Sequence, residues 1–446
     1  MSINSQTVEP TSRTNLTNAR QAASRLVVFR SLLKDPIIAA YIELMDILVS
    51  PQYDTNQIME SYHELAYKLI SAQTPGAWPD AWQRYLIRAT LTDNNALSRA
   101  LEQHPLENLS TDLATAARYD LELLETLYQI DGLTIKKELA PRVHGDGYFF
   151  SWDHLVFSPS EECPAAALMH SLADWGDLLP VLAKHYQNFG TGIFSEFKAF
   201  RWHDGHLQGI PHPDPAGFED LIGLNDQKQA LCSNTESLLA GFPANNVLLY
   251  GKRGTGKSSM VKAALNRYCE QGLRLVEIAK GAMHDLPQVL EMLRGRTLKF
   301  IIFIDDLSFE EYEVEYKGLK GILEGGLSPL PDNVRIYATS NRRHLVREYF
   351  ADRNTDEEIH GDDTVQEKLS VADRFGLSIF FPTPDQVKYL NIVFALAERY
   401  DLDIDREELQ ARAIRWEKYN NGLSGRTARQ FVDNLRAELH RKNTSS

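Results

Sequence analysis

The chain has 446 residues, long enough for about two to four domains, and its 43% hydrophobic and 24% charged residues are ordinary values for a globular protein. The formal net charge of −14 argues against non-specific binding to duplex nucleic acid, which depends on cationic side chains that neutralise phosphates. Three widely separated cysteines, Cys163, Cys232 and Cys269, exclude a disulfide framework and a four-ligand zinc site. With no secretory signal and no apolar run of membrane-spanning length, the sequence predicts a soluble cytoplasmic protein without a membrane partner.

The N-terminal part of the chain is predicted to be a mostly helical domain behind a disordered tail. Residues 1–18 are rich in Ser, Thr and Asn and lack periodicity, which is typical of disorder. Apolar residues at helical spacing run through 19–210, with helices expected at about 55–73, 79–91, 93–103, 106–130 and, as a last long one, 164–187. An aromatic cluster follows, with the members Phe194, Phe197, Phe200 and Trp202. We interpret it as core or interdomain packing, and the alternative is a docking face for a partner.

A stiff proline-rich connector, Pro211–Pro215, is predicted to separate that domain from an α/β domain over residues 216–383. In the α/β domain short apolar runs alternate with helical patterns, which indicates a parallel sheet covered by helices on both faces. Three more helical patterns predict a small helical domain over 385–440, followed by a tail of residues 441–446. The predicted strands are 247–250, 273–279, 300–304, 334–338 and 377–381, and the helices between and after them are about 259–267, 286–294, 310–324, 385–399, 405–419 and 425–440.

The segment that begins at Gly251 carries the strongest chemical signal in the chain. It contains the G-x-x-x-x-G-K-S pattern of a phosphate-binding loop, between a predicted buried strand and a predicted helix, as such a loop requires. Its glycines allow backbone N–H groups to point at phosphate oxygens, and the helix start adds its positive end. Lys257 can reach the β- and γ-phosphates and the Ser258 hydroxyl can ligate Mg²⁺. We therefore predict an ATP/ADP site with Mg, whose nucleotide-binding residues are Gly251, Gly254, Thr255, Gly256, Lys257, Ser258 and Ser259.

Polar side chains end two of the predicted strands. Asp305 and Asp306 follow the strand 300–304, where Asp305 is placed to hold Mg²⁺ together with Ser258, and Asp306 to polarise an attacking water. A strand that simply ends in solvent-facing carboxylates is the alternative. Asn341 follows the strand 334–338 and can hydrogen-bond the γ-phosphate and that water, or it can cap a following helix.

Together these motifs resemble the AAA+ ATPase superfamily over about residues 217–440. The segments NVLLYGKRGTGKSS, DDLSFE, YATSNRRHL, ADRFGL and SGRTARQF are similar to a family of bacterial AAA+ ATPases of unassigned role, whose members also carry a helical N-terminal region. The resemblance implies an α/β fold class: a P-loop parallel-sheet ATPase core with a C-terminal helical lid, preceded by a mostly α-helical N-terminal domain. It also implies a homo-oligomer, a ring or open spiral, with ATP at the subunit boundaries.

The resemblance also assigns roles to single residues. Asn341 resembles the first sensor of the γ-phosphate. Arg374, just ahead of the fifth strand, looks like the arginine finger that reaches a neighbouring subunit's γ-phosphate, although a surface salt bridge is the alternative. Arg426 resembles the second sensor, in the lid, and Arg429 one helical turn later is its rival for that role.

Leu221 and Ile222 match the place where members of the superfamily cradle adenine, and a hydrophobic helix cap is an equally good interpretation of them. Two departures limit the resemblance. Asp306 stands where the family pattern has a longer Glu, so we expect slow turnover, with Glu310 or Glu311 as less favoured substitutes for the base. Residues 280–285, where members that thread polypeptides often place an aromatic pore loop, contain no aromatic residue.

Two charged segments leave alternatives open. Arg342, Arg343 and Arg347 form a basic strip that is either a solvated helix face or a contact to a neighbouring subunit or to nucleic acid. The segment 352–363 gathers carboxylates near His360 and is more typical of a solvated loop than of a cation site.

The sequence thus predicts an ATP-binding protein that hydrolyses ATP with Mg at subunit interfaces, as a motor or remodeller of a protein or nucleic-acid complex. The alternative is a nucleotide-dependent scaffold that hydrolyses little and recruits an unknown protein partner through its N-terminal domain. A small-molecule kinase is disfavoured by the asparagine after the strand 334–338 and by the separate helical lid.

Overall fold

The computed structural model of the protein describes residues 10–52, 54–74, 78–143, 151–155, 163–172, 174–307, 319, 321–323, 329–341, 374–420 and 422–444. The chain divides into two compact units, Met1–Glu196 and Phe197–Ser446. This division lies ahead of the predicted connector 211–215, because residues 199–209 pair with the sheet of the second unit. None of the described helices is long and apolar enough to cross a bilayer.

The first unit is helical. Short polar side chains fix where its helices begin: the Asp35 carboxylate accepts hydrogen bonds from the backbone N–H groups of Ile37 and Ile38, and Asn95 forms a reciprocal capping box with Ser98. The helices are α1 (Pro10–Arg25), α2 (Pro36–Val49), α3 (Thr55–Ala72), α4 (Ala81–Thr92), α5 (Ala96–Gln103), α6 (Thr111–Tyr128), α7 (Gly132–Leu139), α8 (Pro164–Ser171), α9 (Leu179–Phe189) and α10 (Ile193–Glu196).

Two segments of the first unit differ from the sequence-based expectation. Helix α1 begins at Pro10, and Leu16 in it is fully buried, so residues 10–18 are not the disordered tail that their composition predicts. The long helix expected over about 164–187 is divided into α8 and α9 by a 3₁₀ turn, Trp175–Leu178. Pro180 explains the break, since it lacks the N–H that a continuous helix would need and is accommodated in the first turn of α9.

The described residues of the second unit form a seven-stranded sheet. Its strands are β1 (Ala199–His203), β2 (His206–Gly209), β3 (Val247–Gly251), β4 (Leu273–Glu277), β5 (Lys299–Ile304), β6 (Val334–Ser340) and β7 (Leu377–Phe381). Their order in space is β2-β1-β4-β5-β6-β3-β7; among these described strands β1 and β2 pair antiparallel and the other neighbours pair parallel. The apolar β3, β4, β5 and β6 are almost entirely buried, as expected of parallel strands covered on both faces. The predicted α/β class is therefore confirmed.

The hairpin of β1 and β2 is an addition to the sheet that the sequence analysis missed. Its two-residue turn is Asp204–Gly205, both with positive φ (48° and 76°), the conformation of a tight hairpin turn. Phe200 and Trp202 on β1 are buried, and the Trp202 Nε1–H donates to Asp285. These aromatic residues therefore pack in the core and do not form an exposed docking face.

The helices of the second unit cover the sheet and form the lid. In the part of the chain that is described, those with full bounds are α11 (Asn225–Leu239), α12 (Lys257–Tyr268), α13 (Leu286–Leu293), α14 (Gln386–Arg399), α15 (Arg406–Tyr419) and α16 (Gly425–Thr444). The last three share a small core of their own, around Tyr389, Val393, Phe431 and Leu435. Since β5, β6 and β3 are neighbours in the sheet, the segments that follow these three parallel strands meet at one edge of it.

Candidate functional site

The loop from Gly251 to Gly256 turns sharply between β3 and α12. Gly251 has φ 147°, and a Cβ added to it would lie 2.3 Å from the Phe381 carbonyl oxygen of β7. Gly254 has φ 78° and packs against the lid, where an added Cβ would lie 3.1 Å from the Ser424 Oγ. The sequence needs glycine at these positions because the backbone is left-handed and its neighbours are close.

Lys257, the first residue of α12, is buried and points back into the loop. Its Nζ donates to the backbone oxygens of Gly251 (2.7 Å) and Lys252 (2.9 Å), and to the Asn341 Oδ1 at 3.3 Å. Burial lowers the pKa of the ammonium, while the carboxylates of Asp305 and Asp306 act in the opposite direction. The loop therefore holds a partly desolvated cation on its own backbone carbonyl groups.

Asp305 is held between the phosphate loop and β6. Its Oδ1 accepts a hydrogen bond from the Ser258 Oγ at 2.7 Å and another from the Thr339 hydroxyl. The Thr339 hydroxyl also accepts a hydrogen bond from the Asp306 N–H at 2.9 Å, so it contacts the side chain of Asp305 and the backbone of Asp306. Sequence reasoning did not assign this role to Thr339. A hydroxyl and a carboxylate at this separation are the oxygen donors that Mg²⁺ accepts when waters and phosphates complete its shell.

Asp306 lies beside Asp305 in an unusual backbone conformation, with φ 53°. Its Oδ1 accepts a hydrogen bond from the Asn341 Nδ2 at 2.5 Å. Its Oδ2 lies 3.3 Å from the Nη2 of Arg253, a residue of the phosphate loop that the sequence analysis did not single out. Both carboxylate oxygens of Asp306 thus have partners in this structure, and the ion pair with Arg253 is largely exposed to solvent.

These residues line one cavity of about 750 Å³, a size that suits a nucleotide. Leu221 and Ile222 also line it; Leu221 is buried in the core of the sheet, and Ile222 packs against the core of the lid. The lid adds Arg426 and Arg429 to the lining. Of the predicted site residues, the cavity brings together Leu221, Ile222, Gly254, Thr255, Gly256, Lys257, Ser258, Ser259, Asp305, Asp306, Asn341 and Arg426.

The lid touches the phosphate loop directly. The Arg426 backbone N–H donates to the Gly254 carbonyl at 3.2 Å, and the Ser424 side chain caps the start of α16 by accepting from the Thr427 N–H. The first turn of α16 is therefore attached to the loop. Arg429 lies one helical turn further on, 3.7 Å from the Asp220 carboxylate.

Arg374 lies in the turn ahead of β7 and is partly buried. It is not part of the cavity lining that the described residues provide. Among those residues no cluster of three or more His, Cys, Asp and Glu side chains is arranged to hold a metal. Several charged residues of the sequence analysis lie outside the described part of the chain, namely Glu310, Glu311, Arg342, Arg343, Arg347 and the segment 352–363 with His360.

Comparison with known proteins gives three findings. Residues 195–439, more than half of the chain, match the family described as "Protein of unknown function (DUF815)". An AAA-ATPase of Arabidopsis thaliana is 28% identical over 157 residues, 33% of this chain and 32% of the relative, so the chain spans about a third of that protein's length.

Among solved structures, a RuvB variant of Thermotoga maritima is 16% identical, covers 51% of this chain and 67% of its own, and has a TM-score of 0.37. Another from the same organism, described as the RuvB Holliday junction branch migration motor, is 14% identical, covers 50% of this chain and 71% of its own, and has a TM-score of 0.32.

Proposed function

This chain belongs to the family described as "Protein of unknown function (DUF815)", and we propose that it is an ATPase of AAA+ type that binds ATP with Mg²⁺ in the 750 Å³ cavity and hydrolyses it slowly. The observation that carries the proposal is the convergence of three groups on one loop. The Lys257 ammonium lies inside the loop, and Ser258 and Asp305 offer two oxygen donors 2.7 Å apart beside it. This is the set of groups that an Mg²⁺-bound triphosphate needs.

In the proposed site each residue has a distinct part. Backbone N–H groups of Gly254, Thr255 and Gly256 and the start of α12 would bind the phosphates, with Ser259 in the first turn of that helix. Leu221 and Ile222 would pack against the base. Mg²⁺, held by Ser258 and Asp305, would neutralise charge on the phosphate oxygens.

Hydrolysis would depend on Asp306 as the base that polarises water and on Asn341 as the group that orients it. Both residues are engaged with each other, and Arg253 holds the second oxygen of Asp306. A base must be within reach of water and able to take up its proton, and hydrogen bonds to the charged carboxylate make it a weaker base. This arrangement supports slow turnover until Asp306 is released.

The proposal for assembly rests on Arg374. This arginine lies outside the cavity lining that the described residues form, and as the arginine finger that the resemblance implies it would act in trans, on the nucleotide of a neighbouring copy in a homo-oligomer. The helical first unit would then recruit a protein partner in the cytoplasm, and hydrolysis would drive or switch the complex. A scaffold with little hydrolysis is the second candidate, favoured by the double engagement of Asp306.

Calorimetric titration of the full chain with ATP and ADP, with and without Mg²⁺, tests the binding step. We expect Mg²⁺-dependent binding that Lys257→Ala abolishes. Lys299→Ala is the matched control, because Lys299 begins β5 at the end opposite Asp305 and should bind as the wild type does. Folded wild-type protein that shows no affinity for either nucleotide would overturn the proposal.

Turnover as a function of protein concentration separates the two candidates. A motor with a trans-acting Arg374 should show a specific activity that rises with concentration and is lost in Arg374→Ala. A scaffold should show a low rate that neither the concentration nor this substitution changes.

A further inference from the structure

Asp220 is a carboxylate at which the sheet and the lid of the second unit meet. It ends the 3₁₀ turn Phe218–Asp220, directly before Leu221, and only 10% of its side chain is exposed. One of its oxygens, Oδ2, accepts a hydrogen bond from the Gly217 N–H at 2.9 Å, which fixes the carboxylate relative to its own backbone. The other oxygen is left facing the lid and the nucleotide cavity.

Two arginines from different lid helices approach that second oxygen. Arg399, the last residue of α14, places its Nη1 2.6 Å from the Asp220 Oδ1, and Arg429 of α16 places its Nη1 at 3.7 Å. Arg399 also lies 3.7 Å from Glu219. The nearly buried Asp220 carboxylate therefore contacts both of the lid helices that line the cavity, α14 and α16.

The two arginines of α16 that line the cavity, Arg426 and Arg429, make different contacts. Arg429 is directed toward Asp220, at the end of the cavity formed by Leu221 and Ile222, whereas the backbone of Arg426 is bonded to Gly254 of the phosphate loop. The two residues are one helical turn apart, so fixing Arg429 on Asp220 also sets the rotation and height of Arg426. The lid arginine that can face the phosphates is then Arg426.

We propose that Asp220 is a positioning residue that anchors the lid, through Arg399 and Arg429, so that Arg426 is presented to the γ-phosphate. The inference rests on the proposed nucleotide site. In this proposal Asp220 has no direct part in binding the phosphates; it connects the segment that contains Leu221 and Ile222 to the lid. Its loss should therefore weaken the discrimination between ATP and ADP more than it weakens the binding of either nucleotide through the phosphate loop.

The test compares the full-length wild type with Asp220→Asn, which keeps the size and removes the charge. Affinities for ADP and for a non-hydrolysable ATP analogue are measured with Mg²⁺, together with amide hydrogen exchange in α14, α16 and α12. We expect the ratio of the two affinities to fall at least about fivefold, ADP affinity to change less, and exchange to rise in α14 and α16 but not in α12. Asp226→Asn, an exposed carboxylate in the first turn of α11, is the matched control.

Arg399→Gln tests the same anchor from the lid side. Arg399 is partly exposed, so this variant is expected to fold even where Asp220→Asn does not, and it should change the same ratio in the same direction. Equal losses for ADP and for the ATP analogue, or wild-type exchange in the lid of both variants, would overturn the inference and leave the proposed function intact. If the wild type binds neither nucleotide, it is the proposed function that fails.

Discussion

The Asn341 Nδ2 donates a hydrogen bond of 2.5 Å to the Asp306 Oδ1, so the segments that follow β6 and β5 are joined in the lining of the cavity. Asn341 also accepts from Lys257 at 3.3 Å. One amide side chain thus connects the cation of the phosphate loop to the carboxylate that would activate water.

Replacing the proposed base should separate binding from hydrolysis. Asp306→Asn keeps the shape of the side chain but cannot accept a proton from water, so we expect a fall in ATP turnover of at least about 100-fold with ATP affinity preserved. Phosphate release measures the first and calorimetry the second. Unchanged steady-state hydrolysis would show that Asp306 is not the base.

Removing the ion pair of the phosphate loop should have the opposite effect on rate. Arg253→Ala frees the Oδ2 of Asp306, and since the pair is largely exposed we expect only a modest rise in turnover, up to about fivefold. Arg253→Lys retains the charge and is the control. A rate that falls in Arg253→Ala would instead mean that this arginine assists the phosphates.

The two lid arginines should differ in their effect on ATP affinity. Arg426→Ala removes a charged donor next to Gly254 and is expected to weaken binding of an ATP analogue by about tenfold or more, with a smaller loss in Arg429→Ala. Titration of both variants with the same fluorescent nucleotide gives the comparison. The reverse order of effects would assign the sensing role to Arg429.

Acidification should destabilise the first unit through His185. Burial lowers the pKa of this imidazole to about 4, from an ordinary value near 6.5. The unfolded chain therefore takes up a proton as the pH falls below about 6.5, while the folded chain does not until about 4, so stability is present above this window and is lost as the pH falls through it. The loss is on the order of 3 kcal/mol if the whole window is crossed.

Urea unfolding of the full chain, followed by tryptophan fluorescence between pH 7.5 and pH 5, measures this dependence. His185→Gln should flatten it, whereas His104→Gln, at an exposed position after α5, should not. Parallel pH profiles for the wild type and His185→Gln would contradict the assignment.

The sequence alone was sufficient to predict those elements that are specified by residues adjacent in the chain. The glycines around Lys257 specify their turn by themselves, and the short apolar runs of β3, β5 and β6 are typical of buried strands. The β1–β2 hairpin was missed, although Asp204–Gly205 between alternating apolar and polar residues is a strong hairpin signal; the aromatic content of the segment drew the interpretation toward packing. Pro180 likewise marked the break between α8 and α9.

The parts of the site that escaped prediction depend on contacts between distant residues. Arg253 and Asp306 are 53 positions apart, and Asp220 meets Arg399 across 179 positions. Neither pairing follows from periodicity or from motif spacing, because each depends on how the phosphate loop and the lid are placed by the sheet. Thr339 is of the same kind, since its role appears only once β5 and β6 are adjacent.

The close approach of Gly251 to the carbonyl of Phe381 affects which substitution is suitable for a variant of this protein that does not bind nucleotide. A side chain at that glycine would clash with the backbone of β7, the neighbouring edge strand. A loss of nucleotide binding in such a variant would therefore reflect misfolding before it reflected a lost ligand contact. Lys257, whose terminal group touches only loop carbonyls and Asn341 in the part of the chain described, offers the cleaner position for such a tool.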